Sequence, residues 1–254
     1  MLLKIYRNIF LVAFVILITN QPIVAQGTAL LKGTMNVGFE AGIQFTGVDD
    51  PYVVIADAGI GYVAGPFFEY YLSNIIKFRV GLNFDNRAFS LQDMNYIVGD
   101  SGYVGKSSYY DVYEKFKVNY LTIPLSLIYI KGSDKFKFFI QGTVYYSLLL
   151  NTIQTGYADV YISEEDANNF YFEGYPELNI PGHHYFDPEL QVFSTSDIGI
   201  NLLFGFLYNI KPNLGISISP GFSYSFANVW EDPSRRATWS QLYKINVGLV
   251  YTLK

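Results

Sequence analysis

Cysteine is absent from all 254 residues. That excludes disulfide staples, thiolate metal sites, a cysteine nucleophile and a lipid-modified N-terminal cysteine. Histidine occurs only as His183 and His184, so imidazole chemistry has one place to sit. Beyond the N-terminus no apolar run approaches the roughly 20 residues that a spanning helix needs. No basic stripe exists and the formal charge is −5, which argues against nucleic acid as a partner.

What is present is apolar and aromatic: half the residues are hydrophobic, with Tyr 23 and Phe 21. Without long runs, that content must be spread in alternation. From Leu214 to Phe226 it alternates without a fault, as Leu214, Ile216, Ile218, Pro220, Phe222, Tyr224 and Phe226 interleave with glycines and serines. Successive side chains of a strand point to opposite faces, so one face is greasy and the other nearly bare.

The first residues read as a leader. Lys4 and Arg7 precede a short apolar core at positions 9–18, and Ala25 offers a cleavage point. The expected organisation is therefore a cleavable signal peptide, residues 1–25, followed by a single domain over 26–254. Export in a Gram-negative cell follows.

Eight alternating segments are expected as strands: 34–45, 59–72, 76–89, 116–130, 136–150, 197–210, 214–226 and 241–253. Each matches the 9–11 residues that cross a bilayer at a tilt. Short turns at 73–75, 131–135 and 211–213 alternate with long connections at 46–58, 90–115, 151–196 and 227–240. That rhythm fits an all-β, eight-stranded antiparallel up-and-down transmembrane β-barrel with periplasmic turns, external loops and both termini periplasmic. A soluble barrel would bury its apolar face; here the other face is Gly/Ser-rich with isolated charges, as suits a narrow lumen. Pro66, Pro124 and Pro220 fall inside strands that a closed barrel leaves no free edge to excuse.

The lumen is expected to hold an ion-pair plug of Glu40, Glu69, Arg79, Asp85 and Arg87, joined by Asn83, Tyr71 and Gln141. Folding the second and third strands about Asn74 pairs Tyr70 with Phe78, Phe68 with Val80, and Glu69 with Arg79. A carboxylate acid/base pair or an ion pathway is the competing reading of the same residues.

The connection 151–196 carries eight acids and no Lys or Arg, and both histidines. Its aromatics Tyr161, Phe170, Tyr171, Phe172 and Tyr175, with His183 and His184, form a candidate surface for a protein or glycan partner. Ser163 before Glu164, Glu165 and Asp166 could cap a short helix. A solvated lid over the barrel mouth is the plainer reading, and no calcium-loop signature supports cation capture.

Asn119-Tyr120-Leu121-Thr122-Ile123-Pro124-Leu125, the segment Gly65 to Ser73 and Asp197-Ile198-Gly199 resemble strands of the PorT-like outer-membrane β-barrel family. The resemblance covers residues 27–254. It implies a small outer-membrane barrel, with an accessory role in protein secretion for the family's named member, and it carries over no active site. The alternating end from Tyr243 to Leu253 resembles the signal read by the barrel-assembly machinery, although the chain closes on Lys254 rather than Phe. A monomer without cofactor or metal is expected, non-enzymatic and acting through its loops. The alternative is a barrel enzyme acting on lipid A or surface proteins with His183 or His184 as base, but no G-x-S-x-G or H-E-x-x-H pattern accompanies them.

Overall fold

The computed structural model describes residues 32–49, 55–98, 104–161, 182–186, 193–229 and 239–253, and residues 32–254 form one compact unit. The leader, the proposed Ser163 cap, Phe170, Tyr171, Phe172 and Tyr175 lie outside the described residues. Among those residues no helix is long and apolar enough to cross a membrane. The elements are strands: β1 (Met35–Asp49), β2 (Ile55–Tyr71), β3 (Ile76–Gly81), β4 (Asn83–Val98), β5 (Val104–Gly132), β6 (Phe136–Tyr161), β7 (Gly182–Phe186), β8 (Ser196–Lys211), β9 (Leu214–Ser225) and β10 (Trp239–Leu253).

β3 and β4 are one strand interrupted at Leu82, and β7 is a short addition on β6. The remaining pairings join each strand antiparallel to its sequence neighbour, and β1 pairs with both β2 and β10. Eight strands therefore close into a ring. Closure is what lets strands cross a membrane, because no edge is left with unpaired N–H and C=O groups.

The faces are inverted relative to a water-soluble protein. Along β9, Ile216, Ile218 and Phe222 are exposed while Gly215, Ser217, Ser219 and Ser223 are buried. The same holds on β10, where Tyr243, Ile245, Val247, Leu249 and Tyr251 are exposed around Asn246. A continuous apolar outer band over a polar interior is the surface of a lipid-embedded barrel.

Each strand proline coincides with a gap in the ladder on one side. Pro66 accepts at its carbonyl from Leu82 N (3.1 Å) but has no N–H to return, and Leu82 is where β3 and β4 part. Along β5 the paired ladder lapses between Val80↔Leu125 and Asn83↔Thr122, across Pro124, with the register kept. On β8–β9 it lapses between Leu203↔Gly221 and Phe206↔Ile218, across Pro220, while Ile245↔Pro220 is kept on the other side. The prolines thus cost local ladder bonds without opening the ring.

Several expected connections are corrected. β4 and β5 continue to Val98 and from Val104, so most of 90–115 is a two-stranded arm. β6 runs to Tyr161 and β7 adds to it, so 151–196 is not wholly a loop. Within 46–58 both ends are strand, as is Trp239 at the end of 227–240. The reason is cross-strand pairing: once two strands are held at the rim, polar and aromatic residues extend the ladder as readily as aliphatic ones.

Candidate functional site in the barrel lumen

Inward positions come from every second residue, so the filling is dictated by which residues share a strand's parity. Near the short-turn end the β2–β3 hairpin sets Glu69 opposite Arg79, Tyr70 opposite Phe78 and Phe68 opposite Val80. Glu69 is fully buried and accepts from Arg79 Nη2 (2.6 Å), Arg79 Nε (2.9 Å), Lys77 Nζ (2.7 Å) and Asn36 Nδ2 (2.8 Å). Arg79 Nη1 also donates to Glu40 Oε2 at 3.1 Å. Its guanidinium lies 4.0 Å from the centre of the Phe67 ring. A Cβ at Gly38 would collide with that ring, so the bare residue on β1 seats the stack.

Further out, Arg87 forms the second cluster. It donates to Asp85 Oδ2 from Nε (3.1 Å) and Nη2 (3.0 Å), and from Nη1 to Asp197 Oδ2 at 2.6 Å. Asp85 also accepts from Gln44, and Asp197 from Ser225 and, at 3.2 Å, from Tyr145 Oη. Arg87 stands 4.5 Å from the Tyr120 ring centre. Gly199 leaves the space that the Tyr145 phenol fills. Lys244 joins from β10: with the Asn201 amide turned to suit its neighbours, Asn201 accepts from Lys244 Nζ at 3.0 Å.

Charges so placed are expensive to desolvate and are tolerated because partners and hydrogen bonds surround them. The two clusters set Glu40, Glu69, Asp85 and Asp197 against Lys77, Arg79, Arg87 and Lys244. The recess beside Arg87 and Asp197 has room for little more than a water molecule.

Above Arg87 the inner wall changes character. Phe89 and Phe116 stack with centroids 5.0 Å apart, and Phe193 meets Phe116 edge-on at 5.6 Å. Val48, Leu91, Val118, Tyr120 and Val229 complete this buried apolar cluster. It caps the lumen at the end where the arm begins.

The outer face of β4–β5–β6 carries its own sequence of rows. Asn86 donates to Asn119 (2.7 Å) and Asn119 to Asn151 (2.6 Å), a hydrogen-bonded line just beyond the apolar band. Lys117 and Lys115 follow on β5, then Tyr113 stacked on Tyr157 with centroids 4.5 Å apart. Gln92 donates to the Tyr113 hydroxyl at 2.8 Å. Asp111 and Asp159 face each other in the last of these rows, and His183 of β7 is opposite Asp159 in register. Burial and the charge of Asp159 hold the Asp111 carboxyl above its usual range.

All five lumen residues named from sequence are thus brought into two clusters: Glu40, Glu69 and Arg79 in one, Asp85 and Arg87 in the other. Tyr161, His183 and His184 lie in the strands of the arm. Sequence reasoning missed Lys77, Asn36, Gln44, Asp197 and Lys244 as members, although each sits at an inward parity. It also missed the cap, whose signal was the switch from Asn83, Asp85 and Arg87 to Phe89 and Leu91 at alternate positions of one strand. Among the described residues no group of three or more His, Cys, Asp or Glu is placed to hold a metal ion.

The family model described as outer membrane protein β-barrel domain matches residues 24–231. The chain belongs to that family. It is an outer-membrane β-barrel, and the lipid-facing band and closed ring are the features that membership entails. No curated protein matches the chain. Among solved structures, it is similar to Neisserial surface protein A, at 13% identity over 84% of this chain and 96% of the other, TM-score 0.37. Ail, the attachment invasion locus protein of Yersinia pestis, is 9% identical over 87% and 99%, TM-score 0.38. The outer membrane protease OmpT of Escherichia coli is 7% identical over 90% and 99%, TM-score 0.32. At these levels none of the three bears on what this barrel does.

Proposed function

We propose that this outer-membrane barrel is a non-enzymatic interaction platform of the PorT-like type. Its lumen is closed, its termini are periplasmic and its arm faces outside, with an accessory role in protein secretion. One observation carries this reading: the interior is filled at two levels by paired charges and capped by aromatics, while β5 and β6, at 29 and 26 residues, rise well past the bilayer. An eight-stranded barrel is only wide enough for its own side chains. What extends from it is a paired, aromatic-rich sheet, a form suited to docking.

Three measurements test the proposal. In planar bilayers the purified barrel is expected to give no steady conductance; a stable open channel would refute the closed lumen. Excising residues 159–189 is expected to remove co-purifying partners while the barrel still folds, and a gene deletion is expected to leave secreted cargo in the periplasm. An unchanged partner set and normal secretion would count against the platform.

One observation favours a second reading, an enzyme acting on lipid A or surface proteins: the register aligns Asp111, Asp159 and His183 across three strands. Replacing His183 and His184 by alanine should then abolish a change in lipid A or surface-protein pattern that the parent produces.

A further inference from the structure

The outer surface of β4–β5–β6 changes chemistry in a fixed vertical order. Paired residues two apart along a strand stand roughly 7 Å apart, so each row is a separate level. First comes the apolar band, then the Asn86–Asn119–Asn151 line, then Lys117, then Lys115, then the Tyr113–Tyr157 stack.

The asparagine line marks where lipid gives way to headgroup. Three amides bonded side by side satisfy one another at a depth where water is scarce, so they sit at the boundary rather than in the band. Immediately above, both lysines are exposed and neither forms an ion pair with a described residue. Their flanking partners are neutral: Ala88 and Ile153 beside Lys117, Ser90 and Thr155 beside Lys115. Among the described residues, the nearest outward carboxylate in the same rows, Asp57, is two strands from Lys115. Ile153, which is 51% exposed, keeps an apolar contact next to Lys117.

We propose that this face binds a phosphorylated glycolipid of the outer leaflet. Acyl chains lie on the apolar band, the phosphate sits between Lys115 and Lys117, and the sugar rests against Tyr113 and Tyr157. Two like charges on one face repel, and a dianionic phosphate between them removes that penalty. A stacked tyrosine pair offers a flat apolar surface with polar tips, which suits a sugar ring's C–H face and hydroxyls. The assignment uses the external orientation of the arm proposed above.

The test uses the full barrel purified in detergent. Retention of a phosphorylated lipid A-type glycolipid is measured by native mass spectrometry, beside its dephosphorylated form and phosphatidylglycerol. For the parent, the phosphorylated glycolipid should outbind both. The pair K115Q/K117Q should weaken it roughly thirtyfold, the scale of two lysines at an anionic surface, while Lys131→Gln at a short turn leaves it unchanged. Heat-modifiable migration checks that each variant is folded.

Parental retention by the double variant would overturn the proposal. So would equal binding of the dephosphorylated glycolipid, and equal binding of phosphatidylglycerol would overturn the sugar contact. Orientation fails separately: because the chain lacks cysteine, Thr155→Cys in whole cells should react with an impermeant thiol reagent if the arm is external. Detergent binding does not depend on that result.

Discussion

Glu69 and Arg79 face each other across the β2–β3 hairpin, with Arg79 Nη2 donating to Glu69 Oε1 at 2.6 Å inside a lumen that leaves Glu69 no solvent contact. The two are not equivalent to lose. Glu69→Leu strands Lys77 without its carboxylate partner and leaves Arg79 with Glu40 alone. Arg79→Leu leaves Glu69 still held by Lys77 and Asn36, and leaves Glu40, the less buried of the two acids, with only the Asn83 amide. We expect Glu69→Leu to cost about 3–5 kcal/mol, the range for a buried charge left alone, and Arg79→Leu less. Urea titration of refolding into lipid, read by heat-modifiable migration, gives both values, and the reverse order would contradict the network.

Depth sets the second prediction. Ile218 lies outward in mid-strand and Phe226 just beyond the outer end of β9. Ile218→Arg should cost about 2–4 kcal/mol and Phe226→Arg no more than about 1 kcal/mol, because the penalty falls toward the interface. Equal costs at the two sites would mean that the apolar band is not lipid-facing.

The lumen cap invites a third. Phe116 is among the most buried side chains and touches both Phe89 and Phe193. Phe116→Ala should destabilise by about 3–5 kcal/mol through the cavity it leaves. The same urea titration measures this.

The arm should respond to pH. A carboxyl whose folded pKa is raised gives stability that is full below its unfolded pKa and lost as pH rises through the folded one. Asp111 is such a group, flanked by Asp159 across the pair, with Met94 on β4 and Tyr113 nearby. The β5–β6 arm should therefore resist a protease active at both pH values better in mild acid than at neutral pH, each rate normalised to cleavage of an unfolded substrate. Asp111→Asn should make it resistant at both; unchanged pH dependence in that variant would assign the effect elsewhere.

Much of the barrel was legible because β-structure reports itself at period two. The Glu69–Arg79 pairing could be read because a short turn at Asn74 sets register, and a one-residue slip would turn Phe68 and Tyr70 inward. Arm length was not legible: residues such as Ser90, Gln92, Tyr113 and Tyr157 carry no strict alternation, and only their partners make them strand. Nor could the prolines be placed, since each ladder gap depends on which side of its strand the missing N–H faces.

The sequence by itself determined the class of surface each residue joins: lipid-facing or lumen-facing, by parity alone, together with the charges that the lumen would hold. Only the tertiary structure decided which of those charges meet. Arg87 reaches Asp197 from a strand 110 residues away, and Gly38 and Gly199 seat the rings of Phe67 and Tyr145 from neighbouring strands. The physical reason is closure. Strand stagger around the ring sets which inward positions share a level, and that stagger belongs to the whole barrel rather than to any one strand.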